Sequence, residues 1–254
     1  MGNKFQKKNL AQLKKEEEAI LDRDLEDFQG TSTELFFIKL TRRIQRNRIQ
    51  VLAGLVAVFV ILASVIGYLE YSSYKELKST EKLENILESW TTNPLIPSKD
   101  KISVMENFHA NDSSGAVKIR TAKILADLYV QEKNFAKAAE LLETSGKKID
   151  PLRESKAYYF FLAGNYRELA GEKDLALANY EISASLLDSL REAPSFKAWA
   201  IYQVGRLKYE KGDKNGASDS LRKVLNLEPG DAQADLEEVK KLSTFLLLKL
   251  SKIN

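Results

Sequence analysis

Few residues in this chain can carry covalent, metal or acid–base chemistry. Its 254 residues include no cysteine and one histidine, His109. Thiolate nucleophiles, thiolate metal sites and disulfides are therefore excluded. A Ser-His-Asp triad or an imidazole metal site would have to be built around His109 alone. That histidine sits in the run NFHANDSS, which reads by composition as a solvated loop. No glycine-rich phosphate cradle, no paired histidines and no carboxylates at metal spacing accompany it. The expectation is a protein without catalytic residues, metal, cofactor or small-molecule substrate, and not an enzyme. Asn111-Asp112-Ser113 has the form of a glycosylation acceptor, relevant only in a host that modifies such sites.

The elements that position these residues read as helices throughout. Apolar residues make up 44% and charged residues 30%, enough for a packed core under a highly charged surface. With Leu, Ala, Glu and Lys abundant and only five prolines, the composition favours an all-α fold. Net charge is +3, from 39 basic against 36 acidic residues, so no general basic character points to nucleic acid.

Three segments of the C-terminal half share a pattern. Small residues Ala126, Gly164 and Gly205 fall in a first helix and let a partner helix approach closely. Ala138, Ala176 and Ala217 do the same in a second helix, followed four residues on by Leu142, Tyr180 and Leu221. Gly171 and Gly212 mark turns, and Pro229 ends the last unit. The pattern resembles the tetratricopeptide repeat, with longer connections near 146–152 and 190–195. That resemblance implies a concave face lined by the first helices. Its inward positions here are 120, 123, 127 and 130, then Tyr158, Phe161, Asn165 and 168, then Trp199, Tyr202, Arg206 and Tyr209. Aromatic residues and arginine carry much of the energy in protein interfaces, so these form a candidate partner-binding groove. The alternative is that some are core aromatics between helix pairs. Some tetratricopeptide domains clamp a C-terminal carboxylate with Lys and Asn. Lys123 fits one such place, but Asp127 stands where Asn is needed.

Residues 49–69, IQVLAGLVAVFVILASVIGYL, carry no charge and no polar stripe. A helix rising about 1.5 Å per residue needs roughly 20 such residues to cross a hydrocarbon core. Arg42, Arg43, Arg46 and Arg48 precede the run, and mixed charges follow it. The positive-inside bias then places the N-terminus in the cytoplasm and the repeats across the membrane. The cluster would lie against anionic lipid headgroups. Tyr68, Tyr71 and Tyr74 suit an interfacial belt, and Ala63 with Gly67 makes a small-xxx-small pair. The long charged segment before the run fits an uncleaved anchor better than a signal peptide.

The expected organisation is a charged helical cytoplasmic arm (1–48), the transmembrane helix (49–69), a helical linker with a degenerate opening pair (70–118), three repeats (119–231) and a capping helix (232–254). Within the arm, Thr33 is placed to cap a helix leading into the arginines. This plan is similar to the YfgM-type family of bacterial inner-membrane proteins, ancillary to the Sec translocon. The resemblance implies partners among translocon subunits, a periplasmic chaperone or an unfolded emerging chain, besides the lipid bilayer. A structural scaffold of another envelope assembly, flagellar or secretory, is the alternative.

Overall fold

The computed structural model describes residues 30–150, 152–188, 196–228 and 233–252. Among them it is all-helical, with ten α-helices, one π-helical turn and no strand. The charged stretch 4–28, Pro229 and the connection 189–195 lie outside the described residues. The chain divides into two compact units, Met1–Tyr71 and Ser72–Asn254.

In the first unit, α1 spans Ser32–Arg46. Its cap is Thr31 and not Thr33. The Thr31 hydroxyl accepts from the Glu34 amide at 3.4 Å, and the Glu34 carboxylate accepts from the Thr31 amide at 2.9 Å. This reciprocal box needs an acid three residues after the cap. Thr31 has Glu34 there, whereas Thr33 has Phe36. α1 stops at Asn47, and α2 runs unbroken over Arg48–Thr92. Up to Tyr71, nearly all of its side chains are exposed, including the apolar ones.

The second unit begins within α2 and continues with α3 (Ser98–Asn107), a π turn (Phe108–Asp112), α4 (Gly115–Gln131), α5 (Phe135–Gly146), α6 (Arg153–Leu169), α7 (Lys173–Asp188), α8 (Phe196–Glu210), α9 (Lys214–Leu225) and α10 (Gln233–Lys252). Each helix from α3 onward packs on the next, and α10 also touches α8. Leu83 of α2 is buried in one cluster with Met105, Phe108, Val117 and Leu125. Polar links fix that opening: Arg120 to Glu84 at 2.5 Å, Lys82 to Asp112 at 2.6 Å, and the Ala116 amide to Glu76 at 3.1 Å.

The same local chemistry recurs three times. At the turns between paired helices, the amides of Asn134, Glu172 and Asp213 donate back five residues to the carbonyls of Tyr129, Arg167 and Lys208, at 2.8, 2.8 and 3.0 Å. Such a helix end requires one left-handed residue. Gly171 (φ +81°) and Gly212 (φ +83°) supply it twice, and Lys133 (φ +59°) supplies it in the first turn. The helix crossings also repeat. A Cβ on Gly164 would stand 2.6 Å from the Tyr180 ring, and one on Gly205 would stand 2.9 Å from Leu221. Successive pairs are joined by an acid on the earlier second helix: Glu106 accepts from the Tyr129 hydroxyl, Glu143 pairs with Arg167, and Glu181 pairs with Lys208.

α10 closes the stack. Leu236, Val239, Leu246 and Leu250 join a cluster with Ile201, Tyr202, Leu221 and Val224. Glu237, Lys241 and Thr244 stay exposed on its other side. Phe245 and Leu248, 54 and 58% exposed, lie on that same side, so the outer face of α10 is mixed and not wholly polar.

Candidate functional site

Of the α4 positions predicted to point inward, Arg120 is held by Glu84, Val130 packs partly buried against the core, and Lys123 reaches both oxygens of Asp127, at 2.6 and 2.8 Å. A lysine held this way has no donor arrangement preset for a terminal carboxylate.

The face becomes aromatic on α6 and α8. Tyr158 is 39% exposed and meets Phe196 edge-on, with ring centroids 5.4 Å apart. Phe161 is partly buried between Phe196, at 5.6 Å, and Tyr180, at 5.9 Å. Trp199 stands perpendicular to Tyr202 at 6.0 Å. Tyr202 is buried in the cluster that α10 completes, and Trp199 and Tyr209 are partly buried against that cluster. Tyr202 is therefore core, the alternative placement for these aromatics.

The two polar members of the set hold helices together. Asn165 accepts from the Tyr180 hydroxyl at 2.6 Å. Arg206 donates to both oxygens of Glu168 on α6, at 2.7 and 2.6 Å, and also to Glu210 and Gln203. Of the seven predicted residues, Tyr158 alone is exposed, and the partly buried edges of Phe161, Trp199 and Tyr209 add to it. Phe196 was not among the predicted residues, although it links Tyr158 to Phe161. The spacing 196, 199, 202 places it on the same helical face as Trp199 and Tyr202, and that was the signal available for it.

A second polar centre lies between α5, α6 and α7. Arg167 forks onto Glu143 through two 2.8 Å bonds and reaches Glu172 at 2.6 Å, while Asn179 donates to Glu143 at 2.7 Å. Burial pushes the Glu143 carboxyl up, but the bonds from Arg167 and Asn179 outweigh it and hold the group below its ordinary value. With its oxygens committed to two neighbours, Glu143 is a structural ion and not a poised base.

His109 departs from the expected solvated loop. It lies in the π turn, where the Ser113 amide donates to the Phe108 carbonyl at 2.9 Å and the Ser113 hydroxyl to the His109 carbonyl at 2.7 Å. Its Nδ1 is buried without a hydrogen-bond partner. Burial, with Lys118 and Lys148 nearby, lowers its pKa and favours the neutral ring. Among the described residues, no group of three or more His, Asp or Glu side chains could hold a metal ion. A cleft of about 240 Å³ is bordered by Glu181, Asp188, Lys208 and Lys223, and the Glu181–Lys208 pair across it is one of the inter-pair links.

A different surface lies in the first unit. α2 is the one helix among the described residues that is long and apolar enough to cross a membrane, and none of its most apolar stretch is buried. Leu52, Phe59, Ile61 and Ile66 are each more than half exposed there. Arg42, Arg43 and Arg46 sit on α1, and Arg48 opens α2. The chain matches no family model, no curated protein and no solved structure.

Proposed function

We propose that the protein is a single-pass membrane protein whose helix pairs, as tetratricopeptide-type repeats, hold a protein partner and catalyse no reaction. The observation that carries this reading is the uncovered apolar run of α2 in a chain whose helices from α3 onward pack in succession. In water such a run would be costly, since each Å² of exposed apolar surface forgoes roughly 25 cal/mol. A bilayer removes that cost without any protein cover.

The arginines at 42, 43, 46 and 48 support a cytoplasmic N-terminus, with residues beyond 70 across the membrane. The resemblance to the YfgM-type family supports a bacterial inner membrane, a periplasmic repeat domain and a place beside the Sec translocon. The partner would then be a translocon subunit, a periplasmic chaperone or an emerging chain. The surface offered to it is the aromatic strip of Tyr158, Phe196 and Trp199, of a kind that often forms interface hot spots.

The cysteine-free chain allows a direct test of topology. Glu154→Cys should react with a membrane-impermeant maleimide in cells with a permeabilised outer membrane, and Thr31→Cys should react only after lysis. The reverse pattern would overturn the orientation. Mild detergent extraction should then copurify translocon subunits. Recovery of a flagellar or secretion machine in their place would favour the scaffold alternative and sink the translocon assignment.

A further inference from the structure

The α1 helix carries exposed apolar residues that the anchor reading does not use. It is a well-capped helix with no fully buried residue. Phe36, Phe37, Leu40 and Ile44 are 61, 59, 40 and 42% exposed. At 100° per residue these four fall within one stripe about 100° wide. Lys39, Arg42, Arg43 and Arg46 fall on the adjoining stripe. The helix has one acid, Glu34, and the capping box already uses it. A helix with a bulky aromatic face and a cationic flank has the make-up of one that lies in a membrane interface.

We propose that α1 docks along the anionic headgroup region of the leaflet entered by α2, with Phe36, Phe37, Leu40 and Ile44 dipping into the acyl boundary. This inference rests on the proposal that α2 spans the bilayer. Continuity selects the occupant. Asn47 alone separates α1 from α2, and the uncharged run begins at Ile49, so an inserted α2 pins the end of α1 at headgroup level. Charge selects the headgroup: Lys39 and Arg43 on the flank beside the apolar stripe complement an anionic surface and gain nothing from a zwitterionic one.

The experiment uses the full chain with single introduced cysteines carrying an environment-sensitive fluorophore. It is reconstituted into vesicles of phosphatidylcholine alone or with phosphatidylglycerol. Phe59→Cys reports the span, Ile44→Cys the apolar stripe of α1, and Gln45→Cys its far side. We expect the Phe59 probe to be dry in both lipids, the Gln45 probe wet in both, and the Ile44 probe dry with phosphatidylglycerol and much wetter without it. Adding Lys39→Gln and Arg43→Gln should lower the docked-to-free ratio by about 30-fold, roughly fivefold per charge. A wet Ile44 probe beside a dry Phe59 probe overturns this inference and leaves the anchor standing. A wet Phe59 probe overturns the anchor, and α1 docking with it. An Ile44 probe equally dry in both lipids and indifferent to the charge variants overturns the anionic-lipid assignment.

Discussion

The crossing of α6 and α7 makes Gly164→Ala a sharp test of the repeated packing. A Cβ at 164 would lie 2.6, 2.7 and 3.0 Å from Cε1, Cδ1 and Cζ of Tyr180. Carbon atoms at ease stand about 3.5–4.0 Å apart, so the ring must move by close to an ångström. Tyr180 is fully buried, its hydroxyl is held by Asn165 at 2.6 Å, and Phe161 flanks the ring. Replacing a mid-helix glycine by alanine gains about 1 kcal/mol in propensity. Overfilling a tight core contact costs about 1–3 kcal/mol. The expected net loss is about 0–2 kcal/mol, or up to a few degrees in Tm for a domain of this size. The repeat also predicts the rescue. The first pair already places Ala126 and Leu142 at the corresponding positions in one core cluster. Tyr180→Leu should cost about 2–3 kcal/mol alone, through lost volume and lost hydrogen bonds. Combined with Gly164→Ala it should cost at least about 1 kcal/mol less than the two single losses together. Thermal unfolding of the full-length chain in detergent, followed by near-ultraviolet circular dichroism, measures all three variants. Additivity within about 0.5 kcal/mol, or a Gly164→Ala variant that gains stability, would refute the close approach as a constraint.

Three further outcomes follow from the same packing. Glu143 has a lowered pKa in the fold, so its contribution is fully present above the ordinary value of 4.5 and is lost as pH falls through the depressed one. Glu143→Gln should lower stability at pH 7 by about 2 kcal/mol and flatten the loss below about pH 4.5, as read by denaturant midpoints across pH. Tyr202→Ala should cost about 3 kcal/mol of stability because the ring is core, whereas Tyr158→Ala should stay within about 1 kcal/mol and weaken partner capture in a pull-down. Ser183→Ala should raise stability by up to about 1 kcal/mol in urea unfolding, since the wholly buried Ser183 hydroxyl has no hydrogen-bond partner.

Features set by local spacing were legible in the sequence. The uncharged run at 49–69 and the small residues at 126, 164 and 205 needed no knowledge of distant neighbours. Gly171 and Gly212 announced their turns because a left-handed residue is required there. The first turn gave no such signal, since Lys133 takes the same conformation at a cost that the surrounding bonds must offset. The π turn at His109 depends on one serine donating to the backbone twice, which composition does not reveal. Tyr158 and Tyr202 were indistinguishable as aromatics on first helices. What separates them is tertiary: α10 returns over α8 and seals the cluster around Tyr202, while Tyr158 keeps an open side. Burial of that kind depends on which helix arrives next, and no spacing within a single helix encodes it.

The charges on the first-helix face bear directly on what kind of partner could be held there. Lys123 is taken by Asp127, and Arg206 by Glu168 and Glu210. A charged ligand would have to displace these contacts, and the gain from a new ion pair would be set against the loss of an old one. The side chain of Arg206 is 21% exposed and that of Glu168 is 26% exposed, so breaking their pair would leave two poorly solvated charges. The Arg206–Glu168 pair therefore serves the spacing of α6 and α8 and offers little to a ligand. What remains available is the uncharged surface of Tyr158, Phe196 and Trp199, where rigid rings bury large area at small entropic cost. Under the proposed function, recognition at this face is then governed by apolar shape, and its affinity should depend only weakly on salt.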